Sequence, residues 1–243
     1  KPRPVALITG ASSGIGHATA LALAARGWVV YGAARRVDRM QELEASGCHV
    51  LEMDATDDAS LRAGVDRILT EQHRLDVLVN NAGYGSYGAL EDVPIDEARR
   101  QFEVNVFGLA RLTQLVLPTM RALGRGRIIN VSSIGGRIYE PIGSWYHATK
   151  FAVEGLSDSL RIELAPHGID VVIIQPGPIR TEWNTISRRS AEEYSGDGAY
   201  ARQARALVRN YERVDASAAS GTPEDVAATI VRAATTRRPR TRY

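Results

Sequence analysis

Near the middle of the chain, "WYHATK" puts Tyr146 and Lys150 four residues apart, with Trp145 and His147 beside the tyrosine. On a helix that spacing brings a phenol and an ammonium to one face. A phenol with a pKa of about 10 is a reluctant proton shuttle near neutrality. A nearby positive charge favours the phenolate, so Lys150 is expected to lower the Tyr146 pKa. The plainer reading is one face of an amphipathic helix, and the pair alone does not decide between the two. His147 has the side-chain pKa nearest neutrality. Adjacent helix residues do not share a face, so it is expected to point away from Tyr146 and to take no part in chemistry. His17, His49, His73 and His167 are scattered without metal-ligand spacing, and no metal is expected.

The elements that must hold such a pair are legible along the chain. Short β-branched runs, "VALIT" (5–9), "WVVYGAA" (28–34), "CHVLEMD" (48–54), "LDVLVNNAG" (75–83), "RIINVSS" (127–133) and "IDVVIIQPG" (169–177), alternate with helical patterns. Helices are expected over 17–27, 57–73, 96–122, 145–166 and 222–234. This order predicts an α/β fold, a single doubly wound Rossmann-like domain over 1–243 with six to seven mostly parallel strands and helices on both faces. The strand runs are near-continuously apolar rather than alternating, which supports strands buried on both sides. A net charge of +2 is too near balance for a nucleic-acid partner. Cys48 is the only cysteine, so no intrachain disulfide forms. That usage and the absence of a visible signal peptide point to the cytoplasm. No apolar run approaches the ~18–20 residues that span a bilayer.

"TGASSGIG" (9–16) lies between the first strand and the first helix. Gly10, Gly14 and Gly16 permit a tight turn and close backbone approach, with Ser12, Ser13 and Ile15 completing it. The helix N-terminus behind it offers free N–H groups and a positive dipole to a pyrophosphate. Its spacing is not the G-x-G-x-x-G fingerprint, and a simple strand–helix turn is the competing reading. An acid at the end of the second strand would bind the ribose 2′-hydroxyl of NAD. Ala34 stands there instead, followed by Arg35 and Arg36. Guanidinium groups suit a 2′-phosphate, which predicts NADP(H). The alternative is that both arginines solvate a loop.

With these motifs in order, the sequence resembles the short-chain dehydrogenase/reductase family. The resemblance rests on "TGASSGIG", "NNAG" (80–83), the asparagine of "VNVFG" (104–108), "NVSS" (130–133), "YHATK" (146–150) and "PGPIRT" (176–181). It implies hydride transfer between a nicotinamide and a carbonyl or alcohol carbon. Carried over by position, it makes Ser133, Tyr146 and Lys150 the catalytic set, with Asn105 as fourth member. It implies that Asp54 contacts adenine and that Asn81, Ala82 and Gly83 line the cofactor cleft. Pro176, Gly177, Ile179 and Thr181 would embrace the nicotinamide end. Tyr146 is then the general acid in reduction and the base in oxidation. Ser133 would hydrogen-bond the substrate oxygen, Lys150 would hold the nicotinamide ribose, and Asn105 would hold a water linking Lys150 to solvent. The family also implies a homodimer or homotetramer, with helices starting near 105 and 146 at the subunit contact.

The same resemblance places a substrate pocket among Tyr84, Tyr87, Ile138, Tyr139, Ile142, Trp145 and Trp183. Walls of that kind suit a bulky apolar ketone or secondary alcohol, such as a steroid, lipid or polyketide-like compound. Several of these aromatics have subunit or lid packing as their alternative role. Residues 181–215 carry Trp183, Tyr194, Tyr200 and Tyr211 among many charges and are expected to form a mobile lid. Two further functions fit the fold: an NADP-dependent epimerase or dehydratase, and a non-catalytic NADP(H)-binding regulator. The family's final strand is expected to begin about Thr241 and to be cut off, and the arginines of "TTRRPRTRY" (235–243) are expected to be solvated. Some relatives attach to membranes through such tails, so a membrane contact stays open.

Overall fold

The computed structural model describes residues 2–243. Six strands form one parallel sheet: β1 (Val5–Thr9), β2 (Val29–Ala34), β3 (His49–Glu52), β4 (Val77–Asn80), β5 (Gly126–Val131) and β6 (Ile169–Ile174), in spatial order β3-β2-β1-β4-β5-β6. The expected doubly wound α/β architecture is therefore present. Nine α-helices are formed among the described residues: α1 (Gly14–Ala24), α2 (Gln41–Ala45), α3 (Asp58–Gln72), α4 (Ile95–Phe102), α5 (Leu109–Ala122), α6 (Ser144–Leu164), α7 (Glu182–Ser195), α8 (Ala201–Ala216) and α9 (Pro223–Thr235). None is long and apolar enough to cross a membrane.

The strands are mostly apolar because alternate residues feed two cores. Ala6 and Ile8 of β1 join Ala20 and Leu23 of α1 and Val226 and Ile230 of α9. Val5 and Leu7 turn the other way, to Leu61 and Ile68 of α3, Leu112 and Val116 of α5 and Leu164 of α6. A period of two within a strand and two covered faces favour apolar residues at most positions, and the buried polar exceptions, Thr9, Asn80 and Asn130, lie at or near the carboxyl ends. α9 starts on a capping box in which Thr222 and Asp225 satisfy each other's backbone N–H groups.

Two expectations about local structure need correction. The helix read as continuous over 96–122 is broken by a π-helical turn at Glu103–Gly108. Gly108 sits where an added Cβ would lie 2.3 Å from the Ala55 carbonyl oxygen, so the wide turn lets this segment press against the β3 side of the sheet. At the chain's end, Thr241–Tyr243 pair in parallel with β6, through Ile173 N to Thr241 O at 2.9 Å and Gln175 N to Tyr243 O at 2.9 Å. That pairing lays Arg242 over α6, where it binds Glu154 (3.1 Å) and Asp158 (2.5 Å) instead of standing in solvent.

Candidate active site

Strand order reverses between β1 and β4, and a crevice opens beyond their carboxyl ends, where parallel sheets bind ligands. The cavity there measures about 720 Å³. Its floor is set by side chains that tie the strand ends together. Thr9 Oγ accepts hydrogen bonds from the Asn81 and Ala82 N–H groups (3.0 and 2.9 Å), and Asn81 Nδ2 donates to Thr9 O at 3.0 Å. Below, Asn80 donates to Asn130 (2.9 Å) and Thr113 (3.1 Å), and Asn130 donates to Ser157 (2.8 Å). This buried ladder fixes β4 and β5 against α5 and α6.

One end of the cavity is the glycine turn. Gly10 and Gly14 both have positive φ, +67° and +55°, which a side chain would strain. Ser12, Ser13 and Ile15 face the cavity with them. Gly16 does not line it. A Cβ there would lie 2.4 Å from Gly10 O and 2.6 Å from Asn81 Nδ2, so this glycine serves close helix–turn packing. Arg35, Arg36 and Asp54 line this same end. The two arginines are not equivalent. Arg36 lies 3.8 Å from Glu182, which Arg39 also grips, whereas Arg35 is exposed beside the cavity. Asp54 Oδ1 is taken by the Thr56 N–H and hydroxyl, both at 2.9 Å, and those bonds hold its pKa below the usual range against the cost of burial.

At the other end, Ser133, Tyr146 and Lys150 line one wall, with Asn81, Ala82 and Gly83 opposite and Pro176, Gly177, Ile179 and Thr181 alongside. Tyr146 and Lys150 share the inner face of α6 and both are buried. The expected tuning is absent in the chain by itself. Burial pushes the Tyr146 phenol up to about 12, with the Ser133 hydroxyl pulling it down and the Glu140 carboxylate pushing it further up. Lys150 Nζ sits 5.8 Å from the Tyr146 ring centre and donates to Val131 O at 3.0 Å. Burial pushes Lys150 down to about 8, against the pull of Glu154. Desolvation wins because the ammonium is turned toward a strand-end carbonyl rather than toward the phenol oxygen.

Asn105 stands behind this wall, on the π-helical turn. Its Oδ1 accepts from Tyr84 N (3.0 Å), and its Nδ2 donates to Tyr84 O (2.8 Å) and Thr149 Oγ (3.1 Å). Both amide donors are thus spent on fixing the loop after β4 against α6.

Of the expected pocket residues, Tyr84, Tyr87, Ile138, Tyr139 and Trp183 line the cavity, and Ile142 and Trp145 do not. One position from Tyr146 on a helix is a turn of about 100°, so Trp145 faces α4, its ring 6.4 Å from Phe102. Ile142 is buried behind the wall with Tyr87 and Ala191, on a backbone of φ +68°.

His147 also departs from expectation. Its ring stands 5.7 Å from that of Tyr146 and borders the cavity. Nε2 accepts from the Glu140 N–H at 3.2 Å, which puts the proton on Nδ1, 2.8 Å from Gly135 O. The reason is the loop 135–140, which folds back over the first turn of α6 and is clamped by both ring nitrogens. Helix spacing alone carries no signal of such a loop, and it hid both His147 and Glu140.

The roof is α7. Ser187 donates to Gly85 O (3.1 Å), Ser190 accepts from Tyr87 N (2.8 Å), and Ser195 accepts from Ala89 N (2.9 Å). These serines satisfy the backbone of the loop after β4 and seat Trp183 over Tyr146 at 5.1 Å between ring centres. A Cβ on Gly85 would come within 2.3 Å of the indole. Tyr87 and Tyr211 complete the aromatic wall at 5.9 and 5.8 Å from Trp183.

Known proteins match this arrangement. The short chain dehydrogenase family model matches residues 4–192. The 3-ketodihydrosphingosine reductase of Bacteroides thetaiotaomicron is 42% identical over 192 residues, covering 79% of this chain and 69% of that protein. The NADPH-dependent 3-dehydrocapnine reductase of Ornithobacterium rhinotracheale is 40% identical over 190 residues, covering 73% of this chain and 66% of that protein. A crystal structure of a short-chain dehydrogenase from Streptomyces avermitilis superposes with a TM-score of 0.85 at 36% identity, covering 100% of this chain and 88% of that one. With the family pattern matched over most of its length and the fold shared, the chain belongs to the short-chain dehydrogenase family of oxidoreductases.

Proposed function

We propose that this chain is an NADPH-dependent reductase of bulky apolar ketones, working reversibly on the matching secondary alcohols. The observation that carries the proposal is a single cavity. It joins the glycine turn and Arg35 at one end to Ser133, Tyr146, Lys150 and an aromatic wall at the other. The residues fit a dinucleotide phosphate: two positive-φ glycines at a helix N-terminus for the pyrophosphate, and the exposed Arg35 guanidinium where an acid would select NAD. When bound, the nicotinamide supplies the hydride. Tyr146 Oη gives the proton to the substrate oxygen, and Ser133 Oγ donates a hydrogen bond to that oxygen as charge grows on it. Lys150 holds the cofactor's ribose hydroxyls. The Asn105 amide, already engaged by Tyr84 and Thr149, holds the loop after β4 against α6 beside Lys150. Trp183 and Tyr87 exclude water from the reacting carbon. The names of the two reductases described above, one of them NADPH-dependent, support a keto substrate and this cofactor.

A screen of NADPH oxidation against ketones and aldehydes, with Tyr146→Phe as blank, tests the reading; no turnover on any carbonyl overturns it. Arg35→Ala is expected to lower the NADPH-over-NADH ratio of kcat/KM by roughly tenfold to a hundredfold, the scale of charge-assisted hydrogen bonds. Arg36→Ala is expected to do less, because Glu182 already engages that guanidinium. An unchanged ratio in Arg35→Ala removes the 2′-phosphate role. The roof over the pocket is also proposed to open for entry: limited proteolysis within 185–210 should slow when NADPH is added. Equal cleavage with and without NADPH counts against that motion.

A further inference from the structure

The wall beside the phenol ends in an exposed carboxylate, Glu140, that pairs with no cation among the described residues. Glu140 lines the cavity, and the Tyr87 hydroxyl donates to its Oε1 at 3.4 Å. The Tyr87 ring in turn lies 5.4 Å from that of Tyr146, so carboxylate and phenol are about one ring apart. The Glu140 charge is felt at the Tyr87, Tyr146 and Tyr211 phenols, each of which it pushes up. Neighbouring cations are engaged elsewhere. Arg137 turns to Glu154 (3.6 Å), Lys150 to Val131 O (3.0 Å), and Arg188 to Asp215 (3.0 Å). Glu140 is exposed at the cavity edge; His147 anchors its backbone through the Glu140 N–H, and the Tyr87 hydroxyl is the side-chain group that meets the carboxylate. Around the same space stand Tyr87, Tyr146, Trp183 and Tyr211, whose π faces attract cations.

A neutral ketone forms no charge pair with this carboxylate, an anionic one is repelled by it, and a cationic one is attracted. We infer that Glu140 and the aromatic wall around it form a subsite for an ammonium group close to the reacting carbonyl. The substrate class is then an apolar α-amino ketone, reduced to a β-amino alcohol. The inference rests on the ketone-reductase reading above and narrows its substrate. No additional reactant is required: hydride from NADPH goes to the carbonyl carbon, a proton goes to oxygen, and the ammonium is unchanged.

The test is a matched pair of long-chain ketones, one a 2-amino-3-ketone and one the same 3-ketone without the amine, assayed by NADPH oxidation on wild type and Glu140→Gln. Wild type is expected to favour the amino ketone by about tenfold or more in kcat/KM, the scale of a charge-assisted hydrogen bond. Glu140→Gln, checked to be folded by thermal melting and NADPH binding, is expected to bring that ratio close to one. An equal ratio in the two proteins, or a wild-type preference for the neutral ketone, overturns the ammonium subsite and leaves the reductase reading standing. Turnover of neither ketone, when other carbonyls are also inert, overturns the reductase reading and the subsite with it.

Discussion

Tyr146→Phe is expected to cut kcat for carbonyl reduction by roughly 10²–10⁴-fold, the worth of a positioned general acid, while NADPH still binds. The substitution removes one oxygen from a buried ring packed among Tyr87, Trp183 and His147 and leaves the packing in place. Rate and affinity should therefore separate. Stopped-flow turnover and NADPH fluorescence titration measure the two, and retained turnover would remove Tyr146 from its role. Burial sets the accompanying pH dependence. A phenol raised to about 12 stays protonated across the neutral range, so it is poised to give a proton. Its acid form is lost only as pH rises toward that value. Reduction should thus be nearly independent of pH around neutrality, and oxidation should speed up as pH rises. Binding of an oxidised, positively charged nicotinamide near the phenol favours the phenolate and is expected to bring the apparent pKa of oxidation well below that of the free chain. An oxidation profile that falls with rising pH would exclude Tyr146 as the base.

Gly16→Ala is expected to destabilise the chain by ~1–3 kcal/mol, the cost of overpacking a well-filled site, and to weaken NADPH binding severely. Its Cβ would meet the backbone oxygen of Gly10 at 2.4 Å, not the end of a flexible side chain. The helix start must back away from the turn, or the turn must move. Either change breaks the Asn81 bonds to Thr9 O and Gly10 O, which set the floor of the cofactor end. Gly155→Ala on α6 supplies the contrast, because nothing lies within 4 Å of a Cβ there. That helix position should gain ~0.5–1 kcal/mol from the alanine. Melting curves with and without NADPH compare the two variants. Equal melting and equal NADPH protection in both would mean that the turn tolerates the shift.

The sheet and the helices over its two faces are legible from nearly continuous apolar strand runs, since burial on both faces favours apolar residues at most strand positions. The glycine turn was legible for a related reason: Gly10 and Gly14 sit at backbone angles that side chains resist. Three features escaped that logic. The π-helical turn carrying Asn105 has no periodic signature, because it spans one turn inside a longer amphipathic run. The Tyr146 pKa was expected to fall because spacing shows which face a group occupies but not what its tip touches, and Lys150 touches Val131 O. Glu140 and His147 meet only when the loop 135–140 closes over α6, a long-range event that local pattern does not encode. The same limit placed Trp145 in the pocket, although one helical position turns it toward Phe102.

The central claim is that one cavity brings a hydride from NADPH and a proton from Tyr146 to the same carbonyl. The most direct test uses NADPH carrying deuterium at the nicotinamide C4, offered with a panel of apolar ketones, with the products read by mass spectrometry. The account predicts that wild type forms a secondary alcohol with deuterium on the carbinol carbon and that Tyr146→Phe, with cofactor bound, forms almost none. Absence of any reduced ketone, alcohol lacking the deuterium, or equal labelled product from Tyr146→Phe would contradict it.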